Sequence, residues 1–118
     1  MIFNTMFFGS GENGYEFVIN QTDSNGEAHF QSSFGKIRRA VFGSNIVYSG
    51  NYTYVCSIYD IDTQYETMGQ GDIVVSSRFG TFSGTLEYEF NGPILSLKAT
   101  DNNGSPIESM EIEAVLFQ

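Results

Sequence analysis

Between Thr81 and Phe90 the chain alternates without a slip: Phe82, Gly84, Leu86, Tyr88 and Phe90 fall on one face, and Thr81, Ser83, Thr85, Glu87 and Glu89 on the other. A period of two belongs to a strand with one face in a core and one in water, and it cannot be laid on the 3.6-residue repeat of a helix. Asn91 and Gly92 follow, residue types that accept the positive φ angles of a tight hairpin. Pro93 then opens a partner strand, where its missing N–H does least harm. Ile94–Thr100 reads as that partner, with Leu95, Leu97 and Ala99 on its apolar side.

The same grammar runs through the rest of the chain. Strands are expected at Ile2–Phe8, Tyr15–Asn20, Ala28–Phe34, Lys36–Phe42, Ile46–Tyr48, Tyr52–Ile61 and Ile73–Ser77, separated by turns rich in Gly, Asn, Asp and Ser. Asp62–Gly71 is the least strand-like stretch and is expected to be a mobile loop. The C-terminal segment is ambiguous. Ser105, Pro106 and Glu108 have the form of a helix start, and Ile107, Met110, Ala114 and Phe117 would share a helical face. Against that, Met110, Ile112, Ala114 and Leu116 alternate with polar residues, so a terminal strand is favoured and a short C-terminal helix is the alternative. The expected fold class is all-β: a single antiparallel domain over residues 1–118, built from about eight to ten strands. It would be a barrel of up-and-down or meander type, calycin-like, or a two-sheet sandwich. Small lipocalin-type barrels are similar in general pattern, but none of their motifs is present.

Composition narrows the partners. With 118 residues, 41% of them hydrophobic, the chain can bury a core without a disulfide or a structural metal. Fourteen Asp and Glu against five Lys and Arg give a net charge of −9, which repels nucleic acid and anionic membranes. The single cysteine, Cys56, allows no internal disulfide and no thiolate cluster, and is expected to be a small buried hydrophobe. The segment Met1–Phe8 has no basic start and is interrupted by Asn4 and Thr5, so it does not read as a signal peptide. No apolar run approaches the roughly 20 residues of a membrane span. A cytoplasmic location is the default expectation.

Candidate chemistry is sparse. Gly9, Gly11 and Gly14 match G-x-G-x-x-G, yet a dinucleotide site needs a helix next and Tyr15–Ile19 reads as strand. Glu87 with Glu89, and Glu111 with Glu113, resemble glycosidase carboxylate pairs, but both lie opposite an apolar face and should sit in water. His29 is the sole histidine, and no G-x-S-x-G elbow accompanies it. Asp60, Asp62 and Glu66 offer three carboxylates without the spacing or glycine of a calcium loop. Lys36, Arg38 and Arg39 hold three of the five cations and form a possible anion contact. Tyr48, Tyr52, Tyr54, Tyr59 and Tyr65 cluster, and if Tyr52, Tyr54, Cys56 and Ile58 point inward, Tyr59 and Tyr65 are exposed. No cofactor is implied.

The leading expectation is therefore a non-enzymatic interaction module of inhibitor or immunity type. It would bind a basic protein through Tyr59, Tyr65, Asp60, Asp62 and Glu66. The alternative is a small barrel holding an apolar ligand, as a carrier or a cyclase- or isomerase-like enzyme. A weaker alternative is a carbohydrate-binding module. A homodimer is compatible with each.

Overall fold

The computed structural model describes residues 5–8, 14–49 and 52–118. Nine strands are present among them: β1 Thr5–Phe8, β2 Tyr15–Gln21, β3 Glu27–Gln31, β4 Arg39–Ser49, β5 Tyr52–Asp62, β6 Met68–Ser77, β7 Gly80–Asn91, β8 Ile94–Thr100 and β9 Glu111–Phe117. The described residues contain no helix. All pairings are antiparallel and run in the order β1-β2-β9-β4-β5-β6-β7-β8-β3. Strands β4 to β8 form a meander, while β9 returns to lie between β2 and β4. The sheet bends over on itself into facing layers, one a curled half-barrel, and the all-β class is as the alternation implies.

Bending is enforced by chain connection. Strands β2 and β3 lie near opposite ends of the sheet order, yet only the turn from Thr22 to Gly26 joins them. Their seam has no ladder; instead Asn20 donates from Nδ2 to the His29 carbonyl at 2.8 Å. Asp23 shapes the turn, its Oδ1 accepting the N–H groups of Asn25 and Glu27 at 2.8 and 3.0 Å. Those backbone donors hold the Asp23 carboxyl below its ordinary pKa. Gly26 has φ +77°, and a Cβ there would stand 2.4 Å from the Ala99 carbonyl oxygen, so only glycine fits.

Inward side chains fill the space between the layers. Phe30, Phe42, Leu86, Leu95, Ile112 and Leu116 are each essentially inaccessible. Burying a side chain of this kind stabilises by about 1.5–3 kcal/mol relative to exposure, so this interior is the main source of stability. Tyr88 packs edge to face against both Phe42 and Phe90, each at 6.0 Å.

Two expectations on elements are corrected, and at the C-terminus the favoured strand is the one present. Half of the stretch Asp62–Gly71 belongs to the sheet: 63–67 leaves it, while Asp62 pairs with Arg39 and Met68–Gly71 with Leu86–Glu89. Gly69 and Gly71, which suggest a loop by composition, lie beneath the rings of Tyr88 and Tyr59. The two short strands expected at Lys36–Phe42 and Ile46–Tyr48 are one continuous β4, carried through Gly43–Asn45 by a pair of register shifts. No helix starts at Ser105. Thr22, buried in the core, donates from Oγ1 to the Ile107 carbonyl at 2.7 Å and accepts the Met110 N–H at 2.8 Å. That tertiary contact takes the groups a first helical turn would use, Pro106 bridges to Thr100, and β9 begins at Glu111. The glycine-rich match at 9–14, the first residues of the strand expected at Ile2–Phe8 and the Gly50–Asn51 turn lie outside the described residues except for Gly14, and so does the Cys56 side chain.

Candidate functional site

The bulge in β5 decides where its tyrosines point. Phe42 pairs with Tyr59, but Ser44 pairs with Cys56, so Ser57 and Ile58 share one place opposite Gly43. An extra residue inverts the alternation beyond it. Tyr54 is buried below the bulge, whereas above it Tyr59 and Ile61 turn toward the core and Ile58 is 78% exposed. The expected orientation of Ile58 and Tyr59 is thus reversed. Tyr59 stacks on Phe42 with centroids 5.3 Å apart, and its hydroxyl donates to the Asp72 carbonyl at 2.8 Å.

The remaining residues of that group are near in sequence but differ in role. Tyr65 is 79% exposed at the tip of the β5–β6 turn. Asp62 organises that turn, its Oδ1 accepting the Gln64 N–H at 2.9 Å. Glu66 accepts the Tyr88 hydroxyl at 3.1 Å. Burial, reinforced by the Glu66 hydrogen bond and charge, pushes the Tyr88 phenol above its usual pKa. Asp60 forms a fork with Arg39, Nε to Oδ1 at 2.8 Å and Nη2 to Oδ2 at 2.7 Å, which holds the Asp60 carboxyl below its usual range. Each carboxylate is committed to a different neighbour, and the three do not converge on one point.

Lys36, Arg38 and Arg39 do come together. With Asp62, Thr63 and Gln64 they line a surface depression of about 360 Å³. Lys36 and Arg38 are exposed on either side of the buried Ile37, while Arg39 lies over the Phe117 ring at 4.8 Å. On the opposite half of the molecule, a groove of about 430 Å³ crosses the outer face of β6, β7, β8 and β3. Its rows read Met68–Glu89–Ser96–His29 and Gln70–Glu87–Lys98–Glu27. His29 Nδ1 and Ser96 Oγ are 3.0 Å apart, and both glutamates of β7 face water as the alternation implies. Mixed charges in cross-strand rows are the usual solution for a solvated sheet.

The outer face of β2, β9, β4 and β5 is different. Three rows cross it: Tyr15–Phe117–Arg39, Phe17–Val115–Val41 and Ile19–Glu113–Gly43. The bulge sets Ile58 at the end of the third row. The apolar members of β2, β9 and β4 are half-buried only. Tyr15 and Phe117 touch at 5.6 Å, and a shallow dent of about 160 Å³ opens between Phe17, Val41, Val115 and Ile58. The inward side of the same strands carries Val18, Ala114, Leu116, Ala40 and Phe42, so this part of the sheet is apolar on both faces. Sequence reasoning passes over this face, although a signal exists. Ala114–Phe117 is an unbroken apolar run within an otherwise alternating strand, and Tyr15, Phe17 and Ile19 line up opposite Val18. The intervening Glu16 is the inward exception: 1% exposed, it accepts the Ser33 N–H at 2.6 Å and the Ser33 hydroxyl at 2.5 Å, tying down the segment before β4.

Comparison with protein-family models, curated proteins and solved structures finds no match to this chain.

Proposed function

We propose that the chain is a non-enzymatic protein-interaction domain that docks its partner on the outer face of β2, β9, β4 and β5. The observation that carries this reading is the two-sided apolar sheet. One face builds the core; the other leaves Tyr15, Phe17, Val41, Val115, Phe117 and Ile58 in partial contact with water. Covering such a surface is worth about 25 cal/mol per Å² of apolar area, and contiguous exposed patches of this kind mark association sites. An aromatic pair with an arginine at its edge has the composition of an interface centre. The net charge of −9 adds long-range attraction for a partner with a basic surface, a rate effect that salt weakens. A ligand held inside the sheet has less support, because large side chains fill the interior and the three depressions described open on the outer surface.

Affinity capture from the source cells, run with wild type and with Ile58→Asp, tests the reading. Ile58 is 78% exposed, so the substitution leaves the core untouched. A partner recovered by wild type and by Tyr65→Ala, but lost with Ile58→Asp, is the expected result. Equal recovery by all three folded proteins would overturn it.

A further inference from the structure

The ladder that joins β5 to β6 stops halfway. It runs from Tyr52 opposite Ser77 to Cys56 opposite Ile73; beyond it β5 continues against β4 alone, and Met68–Asp72 against β7 alone. The extra residue at Ser57 and Ile58 sits where the two strands part, and the added twist of a bulge turns β5 away there. Among the described residues, no strand pairs with Met68–Asp72 on the side away from β7.

We infer that this open edge of β6 takes an extended segment of another protein as an added strand, one in which basic and apolar residues alternate. The site is separate from the outer face of β2, β9, β4 and β5, and goes beyond it.

Two contacts show which backbone groups face the opening. The Thr67 carbonyl accepts the Phe90 N–H at 2.7 Å, so by alternation Gly69 and Gly71 also turn their backbone groups to β7. The Asp72 carbonyl accepts the Tyr59 hydroxyl at 2.8 Å, so Met68, Gln70 and Asp72 turn theirs away from β7. Met68 and Gln70 thus each present a donor and an acceptor, two residues apart, which is the spacing of an extended main chain. Natural sheet edges are commonly blunted by lysine or proline, and Met68–Asp72 carries neither. The β3 edge, by contrast, is partly closed by Asn20 on the His29 carbonyl.

The flanking side chains select the guest's sequence. On the outer side Gln70 and Asp72 are exposed, and Asp72 has no cationic partner among the described residues. Glu87 and Glu89 stand one strand further on, opposite Gln70 and Met68. On the inner side Gly69 and Gly71 carry no side chain, and the half-buried Tyr59 and Ile61 of β5 offer ring and aliphatic carbon. A guest residue pointing out therefore meets carboxylates, and its neighbour pointing in meets apolar surface. The net charge of −9 draws in such a segment and opposes pairing with a second copy of the chain.

The probe is a short, end-capped peptide of alternating lysine and valine, titrated into the isotope-labelled full chain and followed by amide NMR and hydrogen exchange. Slowed exchange at the Met68 and Gln70 amides is expected, with binding that weakens as salt rises. Gln70→Pro removes one edge donor without touching the β7 ladder and should weaken binding about tenfold or more, whereas Gln70→Ala should leave it near wild type. Far-UV circular dichroism checks that the variants fold. If the proline variant does not, a peptide methylated on its backbone nitrogens decides, and it should bind at least about tenfold more weakly to the wild-type chain. Binding that survives the backbone changes, or no binding at millimolar peptide, would overturn the inference. Protection of the same amides on raising protein concentration alone would overturn it too, by giving the edge to a second copy.

Discussion

At the scale of single residues, the strand glycines and the tyrosines above them act as units. A Cβ on Gly71 would lie 2.4 Å from Tyr59 Cε1, and one on Gly69 would lie 2.4 Å from the Tyr88 hydroxyl oxygen. Neither ring can simply swing away: Tyr59 is stacked on Phe42 and bonded to Asp72, and Tyr88 is bonded to Glu66. Gly71→Ala is expected to cost about 1–3 kcal/mol in urea unfolding, the scale of an overpacked site. In combination with Tyr59→Ala the total should be less than the sum of the two single losses, because the clash is then absent. Tyr88 gives an alkaline signature. Its phenol titrates above the ordinary value of about 10 in the folded protein, so between the unfolded and folded pKa values the unfolded chain holds fewer protons. Stability therefore falls as pH rises past about 10, and Tyr88→Phe should remove that part of the fall in denaturant midpoints measured across the alkaline range.

At the scale of elements, the alternation from Thr81 to Thr100 transfers from sequence to structure almost residue for residue, because β7 and β8 pair without a bulge. The β5 strand does not, because its two-for-one pairing at Ser57 and Ile58 is fixed by its neighbour and leaves no mark in its own residues. A strictly alternating reading puts Ile58 inside and Tyr59 outside; the bulge inverts both. Ile58→Thr should accordingly change stability by no more than about 0.5 kcal/mol. Tyr59→Ala should cost about 2–4 kcal/mol through lost ring packing, with thermal melts separating the two. The Gly69–Gly71 stretch was misleading for a related reason: glycine suggests a loop until a cross-strand ring is known to cover it. Of the candidate site residues, the sequence groups Lys36, Arg38 and Arg39 correctly as neighbours because they adjoin along the chain. The apolar face is assembled from β2, β9 and β4, whose pairing partners lie far apart in sequence, so the apolar run Ala114–Phe117 and the row Tyr15, Phe17 and Ile19 are legible singly but their joining into one face is not.

At the scale of the whole molecule, acid titrates two pinned carboxylates against a large background charge. Asp23, held chiefly by backbone N–H groups, and Asp60, held by Arg39, both have depressed pKa values when folded. Their contribution is complete above the unfolded value of about 4 and is lost as pH falls through the folded values. Both are exposed, so the loss is small, and protonating other acids meanwhile relieves the self-repulsion of a −9 chain. Urea midpoints should hold level or rise slightly from neutral pH to about 5 and decline only below about 4, a decline blunted in Asp23→Asn.

The place of β9 has a consequence for how the molecule is made. It lies between β2 and β4, pairing with β2 over 111–117 and with β4 over 113–117, and the adjoining Gly14 N–H reaches Gln118 across 104 positions of chain. Translation delivers β2 and β4 long before β9. At about 5–20 residues per second, β4 waits several seconds or more with one flank unpaired. The nascent chain is then a split sheet whose inner edges are apolar on both sides, the form most open to capture by a chaperone or by a neighbouring polysome product. Closing the gap is a zipping of β9 between two strands made well before it, so a slow step of maturation is expected at residues 111–117 rather than in the meander that precedes them.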